Sequence, residues 1–185
     1  MVYYAAYATT LEPGGRDMKP LSLAFALLLL ATAAHADEGT HLRAKLVGTQ
    51  EVPAIFAAGS AVFTARVLDL DTRIDFDLTY ENLTAPPAVA HVHFGQRGVN
   101  GAVSFFLCGG GGKPACPASP SGTVTGTVVA ADVLGPAAQG IAPGDLAAII
   151  AVIRAGFGYA NMHTPLHPGG EIRGQIRVRG HSEDD

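Results

Sequence analysis

Alternation of apolar and polar side chains dominates the chain. In Ala61-Val62-Phe63-Thr64-Ala65-Arg66-Val67, and again in Ile74-Asp75-Phe76-Asp77-Leu78-Thr79-Tyr80, successive side chains fall on opposite faces, the period-2 pattern of half-buried strands. Residues 68–72, with Asp69 and Asp71, turn between the two runs. The same reading predicts further strands over residues 41–47, 89–94, 102–107, 121–129, 159–164 and 171–179, with Gly and Pro punctuating the gaps. Short strands joined by turns predict an all-β fold, an antiparallel Greek-key-like β-sandwich or barrel, and not a parallel α/β sheet. One segment departs from alternation. Residues 143–154 carry apolar side chains at Leu146, Ile149, Ile150 and Ile153, the spacing of one helical face. Pro143 suits the first turn, Asp145 the positive N-terminal end, and Gly156 a left-handed stop, so the pattern predicts one short crossover helix over an end of the fold.

The chain's start reads differently. From Met18 it runs Lys19, an uncharged apolar stretch over residues 21–33, and then Ala34-His35-Ala36, the three parts of a secretory signal with a small-x-small cleavage site. About 13 apolar residues rise about 20 Å as a helix, short of the roughly 20 residues that a bilayer core needs. Residues 1–17 are therefore expected to be an upstream extension, 18–36 a signal peptide, 37–180 one domain and 181–185 a flexible tail. The expected compartment is periplasmic or secreted, with no membrane span once the signal is removed.

Composition narrows the partners. The chain has 16 acidic and 12 basic side chains; removing Glu12, Asp17, Arg16 and Lys19 with the first 36 residues leaves the net charge at −4. The basic residues are scattered, so there is no stripe for nucleic acid or anionic lipid. Cys108 and Cys116 enclose GGGGKPA. In an exported chain this even pair is most simply a disulfide, a thiolate metal pair being the other reading. The glycine run is not a phosphate loop, because Lys113 is followed by Pro114 where Ser or Thr is required.

Four histidines form two clusters, His91-Val92-His93 and His163-Thr164-Pro165-Leu166-His167. Residues i and i+2 of a strand share a face, about 6.5 Å apart at Cα. His91 and His93 therefore project side by side, and Tyr159, Asn161 and His163 share a face of a second strand. Neutral imidazoles so placed can converge on copper or zinc at about 2.0 Å. The same residues can instead form a solvated or hydrogen-bonded polar network. Spacing leaves both readings open. For the metal reading, the donors are His91, His93 and His163, with His167 a fourth candidate and Tyr159 and Asn161 in support.

Several blocks carry a family resemblance: Ala44-Lys45-Leu46-Val47-Gly48-Thr49-Gln50-Glu51-Val52-Pro53, Ala90-His91-Val92-His93-Phe94-Gly95, Gly101-Ala102-Val103-Ser104-Phe105, Gly158-Tyr159-Ala160-Asn161-Met162-His163-Thr164, and Pro168-Gly169-Gly170-Glu171-Ile172-Arg173-Gly174-Gln175-Ile176. In order and spacing these resemble the CHRD domain, the module named from chordin, in its single-domain exported bacterial form. The resemblance implies a β-rich extracytoplasmic module without an established catalytic residue set, whose pattern keeps the positions of His91, His93, Asn161 and His163. His167 lies where related sequences often carry another residue. In the last block the paired glycines are read as a tight turn, and Glu171 and Arg173 as structural residues that pair with each other or with neighbours.

Three functions follow as expectations. The first is an exported binding module for a divalent metal or an extracytoplasmic protein partner. The second is a redox enzyme resembling copper-zinc superoxide dismutase, which also joins a Greek-key sandwich, a His-x-His strand and a disulfide. The third is a purely structural domain. The chain lacks that dismutase's full set of bridging and zinc ligands, and it carries no Gly-x-Ser-x-Gly elbow or His-Glu-x-x-His helix, so turnover is the weaker expectation. Metal affinity is expected to fall as pH drops through about 6.5, the ordinary histidine pKa.

Overall fold

A computed structural model of the chain describes residues 39–179. The expected upstream extension, signal peptide with its cleavage site, and tail lie outside these residues. Nine strands form one antiparallel sheet: β1 (Thr40–Val47), β2 (Ser60–Leu68), β3 (Arg73–Glu81), β4 (Val89–Phe94), β5 (Ala102–Cys108), β6 (Gly122–Val128), β7 (Gly158–Thr164), β8 (His167–Gln175) and β9 (Arg177–Val178). Their order is β5-β4-β7-β8-β1-β2-β3-β6, with β9 paired to β1. The adjacencies β4–β7, β8–β1 and β3–β6 join strands distant in sequence, the Greek-key-like connectivity the pattern predicts. The end strands β5 and β6 also meet, so the sheet curls into a nearly closed barrel.

Alternation decides which side chains fill it. Leu42, Ala44 and Leu46 of β1, Ala61, Phe63, Ala65 and Val67 of β2, and Ile74, Phe76, Leu78 and Tyr80 of β3 are all buried. Their polar neighbours face outward. The register pairs like with like, Phe63 opposite Leu78 and Ala65 opposite Phe76, so each rung places two apolar side chains on the inner face. Burying one such large side chain contributes about 1.5–3 kcal/mol.

The helix, α1, runs over Leu146–Arg154 and lies between β6 and β7 in the chain. Its buried residues Leu146, Ile149, Ile150 and Ile153 join the barrel core. The start differs from expectation. The Asp145 side chain accepts from the Ala148 N–H at 2.9 Å and acts as the N-cap, so Pro143 and Gly144 (φ +83) lie in the turn before the helix. A carboxylate that caps cannot also be a helical residue.

The last block differs as well. Pro165 and Leu166 make the turn between β7 and β8, and Pro168-Gly169-Gly170 already belongs to β8. Gly170 sits at φ +124, and a Cβ there would lie 2.7 Å from the Glu51 carboxylate. That glycine makes room for a buried side chain. Cys108 and Cys116 are bonded to each other, with Cα atoms 5.0 Å apart, and their loop lies beyond the edge strand β5. Gly109 N–H donates to the Pro114 carbonyl, and Leu134 N–H donates to Ser104 of β5, so edge groups of β5 and its exit are partnered locally.

Candidate metal centre

The register between β4 and β7 assembles the centre. His91 lies opposite Asn161, His93 opposite Tyr159, and Val89 opposite His163. Directly opposed residues share a face, and the intervening Ala90, Val92, Ala160 and Met162 point into the core with 0% exposure. The histidines therefore stand on the outer face of the barrel. They are nevertheless covered: His91 is only 6% exposed, and His93 and His163 are half-buried.

The three rings crowd one point. Ring centroids of His91 and His93 are 4.4 Å apart, and those of His91 and His163 are 4.6 Å apart. One ligand atom from each lies within 4.8 Å of the other two. An ion held at about 2.0 Å from each nitrogen sets them roughly 3.4 Å apart, so side-chain rotations of about one ångström close the triangle. His167 does not join this group. Its partner across the hairpin is Thr164, one residue out of phase with His163, and it lines a neighbouring groove of about 250 Å³ with Glu51, Pro53, Ile55 and Leu166.

Hydrogen bonds orient the rings. His93 Nδ1 meets the Gly101 carbonyl at 3.0 Å, and His163 Nδ1 meets the Pro168 carbonyl at 2.9 Å. A carbonyl only accepts, so each Nδ1 carries the hydrogen and each Nε2 keeps its lone pair. Those two Nε2 atoms, with His91 Nδ1, are buried and without a hydrogen-bond partner among the described residues. A backbone carbonyl behind an imidazole whose other nitrogen is free is the outer shell usual for metal-binding histidine.

Aromatic and charged neighbours wall the site. Phe106 of β5 stands edge-on to His91 at 5.3 Å. Tyr159 stacks flat on His93 at 4.5 Å, and its hydroxyl accepts from Gly101 N–H at 3.0 Å. On the Tyr159 ring sits the Arg173 guanidinium, 3.5 Å from the centroid. Arg173 donates to Asn100 Oδ1 and to the Gln96 and Val99 carbonyls, which ties the 95–101 loop over this face. Asn161 does not turn to the histidines; its amide donates to Glu51 and to the Ile172 carbonyl. Nor do Glu171 and Arg173 pair together. Glu171 accepts instead from Thr84 and Thr164. Glu51, Phe106, Arg173 and the Gly101 carbonyl are the parts of the site that spacing within single strands does not announce.

Burial sets the protonation. It pushes His91 down to about 3, helped by the charges of His93 and His163. Burial likewise pushes His93 down to about 4, against the Gly101 hydrogen bond and helped by the charges of His163 and Arg173, and it lowers His163 too. His91 and His93 are neutral donors well below 6.5, and His163 is shifted the same way, so proton competition in the folded protein begins lower than the ordinary histidine value suggests. Burial also raises Glu51 to about 7, against the Asn161 hydrogen bond and the Arg173 charge.

These shifts oppose each other in stability. A histidine with a depressed folded pKa takes up protons when unfolded, so stability falls as pH drops below about 6.5 toward 4. Glu51, protonated more readily when folded, adds stability over nearly the same window as pH falls from about 7. The urea midpoint of the metal-free Glu51→Gln variant should therefore fall more steeply between pH 6.5 and 4.5 than that of the wild type. Equal slopes would contradict the raised pKa of Glu51, and a Glu51→Gln midpoint that stays level over this range would contradict the buried, neutral state of the rings.

No curated protein and no solved structure matches the chain significantly. No helix among the described residues is long and apolar enough to cross a membrane. The model of the CHRD domain, a family of extracellular binding modules, matches residues 42–176, and the Cys108–Cys116 disulfide fits an oxidising compartment. With β2 through β8, and so both histidine strands, inside that match, the chain belongs to the CHRD domain family.

Proposed function

We propose that this CHRD domain is an exported binding module, periplasmic or secreted, that holds a copper or zinc ion between His91, His93 and His163. One observation carries the reading: three imidazoles, each with a buried nitrogen that lacks a hydrogen-bond partner among the described residues, gather a ring nitrogen apiece within 4.8 Å of one another. A buried polar atom left unsatisfied costs about 1–3 kcal/mol. Three such atoms around one point are a costly way to build a mere polar patch, whereas an ion satisfies all three at once. Carbonyl groups fix two of the rings in the tautomer that donates a lone pair, so little reorganisation opposes binding.

Binding fits better than turnover. A dismutase-like site needs a second set of ligands around a bridging imidazole, and among the described residues the three histidines are the one metal-competent group. A protein partner is the second reading, favoured by Phe56 at 104% and Leu166 at 65% exposure beside the groove that His167 lines.

Titration calorimetry with Cu(II) and Zn(II) at neutral pH tests the metal reading. The wild type should bind one ion per chain, and His91→Ala/His93→Ala should lose the heat signal for the same ion while His167→Ala keeps it. Equal weak binding by all three proteins would contradict the proposal.

A further inference from the structure

The character of the donor set says which ion suits the centre, and this step rests on the metal reading above. We propose that the centre selects monovalent copper, Cu(I), over Zn(II) and Cu(II), because it offers three neutral nitrogens, with no carboxylate in the donor set, beside a fixed guanidinium. Three observations carry it, each independent of the others.

The first is donor charge. The group consists of His91, His93 and His163, all neutral ligands. Glu51, the buried carboxylate of the same face, is held by the Asn161 amide at 2.5 Å and lies against the Gly170 backbone, and it contributes no atom to the group. A dication entering such a site keeps its full double charge, and the cost of desolvating an ion rises with the square of that charge. A monovalent ion escapes most of that cost.

The second is coordination number. Zn(II) completes four ligands, and where a protein offers three it keeps a water in the fourth position. Cu(II) asks for a tetragonal set. Here the three free nitrogens are themselves buried, with Phe106 edge-on against His91 and Tyr159 flat against His93. No fourth protein donor joins the three among the described residues. Cu(I) accepts fewer ligands than Zn(II) does, so three imidazoles satisfy it.

The third is the neighbouring charge. The Arg173 guanidinium lies 3.5 Å above the far face of the Tyr159 ring that stacks on His93. Hydrogen bonds to Asn100 and to the Gln96 and Val99 carbonyls fix it there. Its repulsion of a bound ion scales with that ion's charge, so it discriminates against a dication twice as strongly as against Cu(I).

The test is a pair of anaerobic competitions on protein expressed from the full sequence. Cu(I) is titrated against bathocuproine disulfonate, and Zn(II) against a chromophoric zinc chelator, at the same pH and ionic strength. The expected result is one equivalent of each ion with Cu(I) at least about a hundredfold tighter, two tenfold steps on the affinity scale. Air oxidation of the Cu(I) protein should then loosen the metal, seen as its transfer to a Cu(II) chelator. Zn(II) bound as tightly as Cu(I) would overturn the selectivity while leaving a three-histidine centre in place. Failure of both ions to bind would remove the centre itself.

Discussion

Replacing Gly101 by Ala lowers the stability of the fold by about 3 kcal/mol or more and weakens the proposed metal centre with it. Gly101 lies just before β5, where the chain returns toward β4, and a Cβ there would stand 1.7 Å from the Phe94 carbonyl oxygen and 2.5 Å from its carbon. Both are backbone atoms of the histidine strand. No side-chain rotation relieves the contact, so β4 or the 95–101 loop must move. The Gly101 carbonyl is also what orients His93, and its N–H donates to the Tyr159 hydroxyl. One methyl group therefore disturbs packing, ligand orientation and the stacked wall together. Gly169 is the matched control: a Cβ there meets nothing within 4 Å, and Gly169→Ala should stay within about 0.5 kcal/mol of the wild type. Denaturant unfolding of the two variants, followed by metal titration of each, gives the comparison. Similar midpoints would show that the loop accommodates the methyl group and that the close approach is not a constraint.

Glu171→Ala has an effect of similar size by another route. Glu171 is 0% exposed, and its carboxylate accepts from Thr84 N–H at 2.8 Å, Thr84 Oγ1 at 2.6 Å and Thr164 Oγ1 at 2.6 Å. These bonds pin the segment between β3 and β4 to the β7–β8 hairpin. Removing the acceptor leaves a cavity and the Thr84 N–H without a partner, while the Thr84 and Thr164 hydroxyls keep only their mutual contact at 3.3 Å, an expected loss of about 3–5 kcal/mol. Glu171→Gln retains the shape and one acceptor, and the two threonine hydroxyls can turn to accept from its amide, so its cost should be about half as large. Because Glu171 touches none of the three histidines in this network, the Gln variant should keep metal affinity. A loss below about 1 kcal/mol for Glu171→Ala would mean that solvent replaces the carboxylate at no cost.

Both residues show where the sequence is readable and where it is not. The barrel was legible because half-buried strands must alternate, and Phe63, Phe76 and Tyr80 lie inside as their period demands. The His91–His93 pair followed from the same period. Its union with His163 depends on β4 lying beside β7, which periodicity within a strand cannot supply; the second histidine cluster and the family resemblance both point to that residue. His167 shows the converse. The spacing from His163 to His167 looks like a cluster, yet the Pro165-Leu166 turn pairs His167 with Thr164 and leaves it outside the group. Proline and glycine misled at two other points. Pro143 reads as a helix start, but the Asp145 cap sets the boundary; Gly169-Gly170 reads as a turn, but Gly170 is a strand glycine that clears space for Glu51. Glu51 and Arg173 carry no pattern of their own. Each becomes meaningful through one tertiary contact, Glu51 through Asn161 and Arg173 through Tyr159.

His91, His93 and His163 are proposed to hold a metal ion between them. X-ray absorption on the metal-loaded protein tests it most directly, because the absorbing ion reports its own neighbours. The account predicts a first shell of about three nitrogen scatterers at about 2.0 Å, with the outer-shell pattern of imidazole rings, and its loss in His91→Ala/His93→Ala. A shell of oxygen alone, or of sulfur from Cys108 and Cys116, would contradict it.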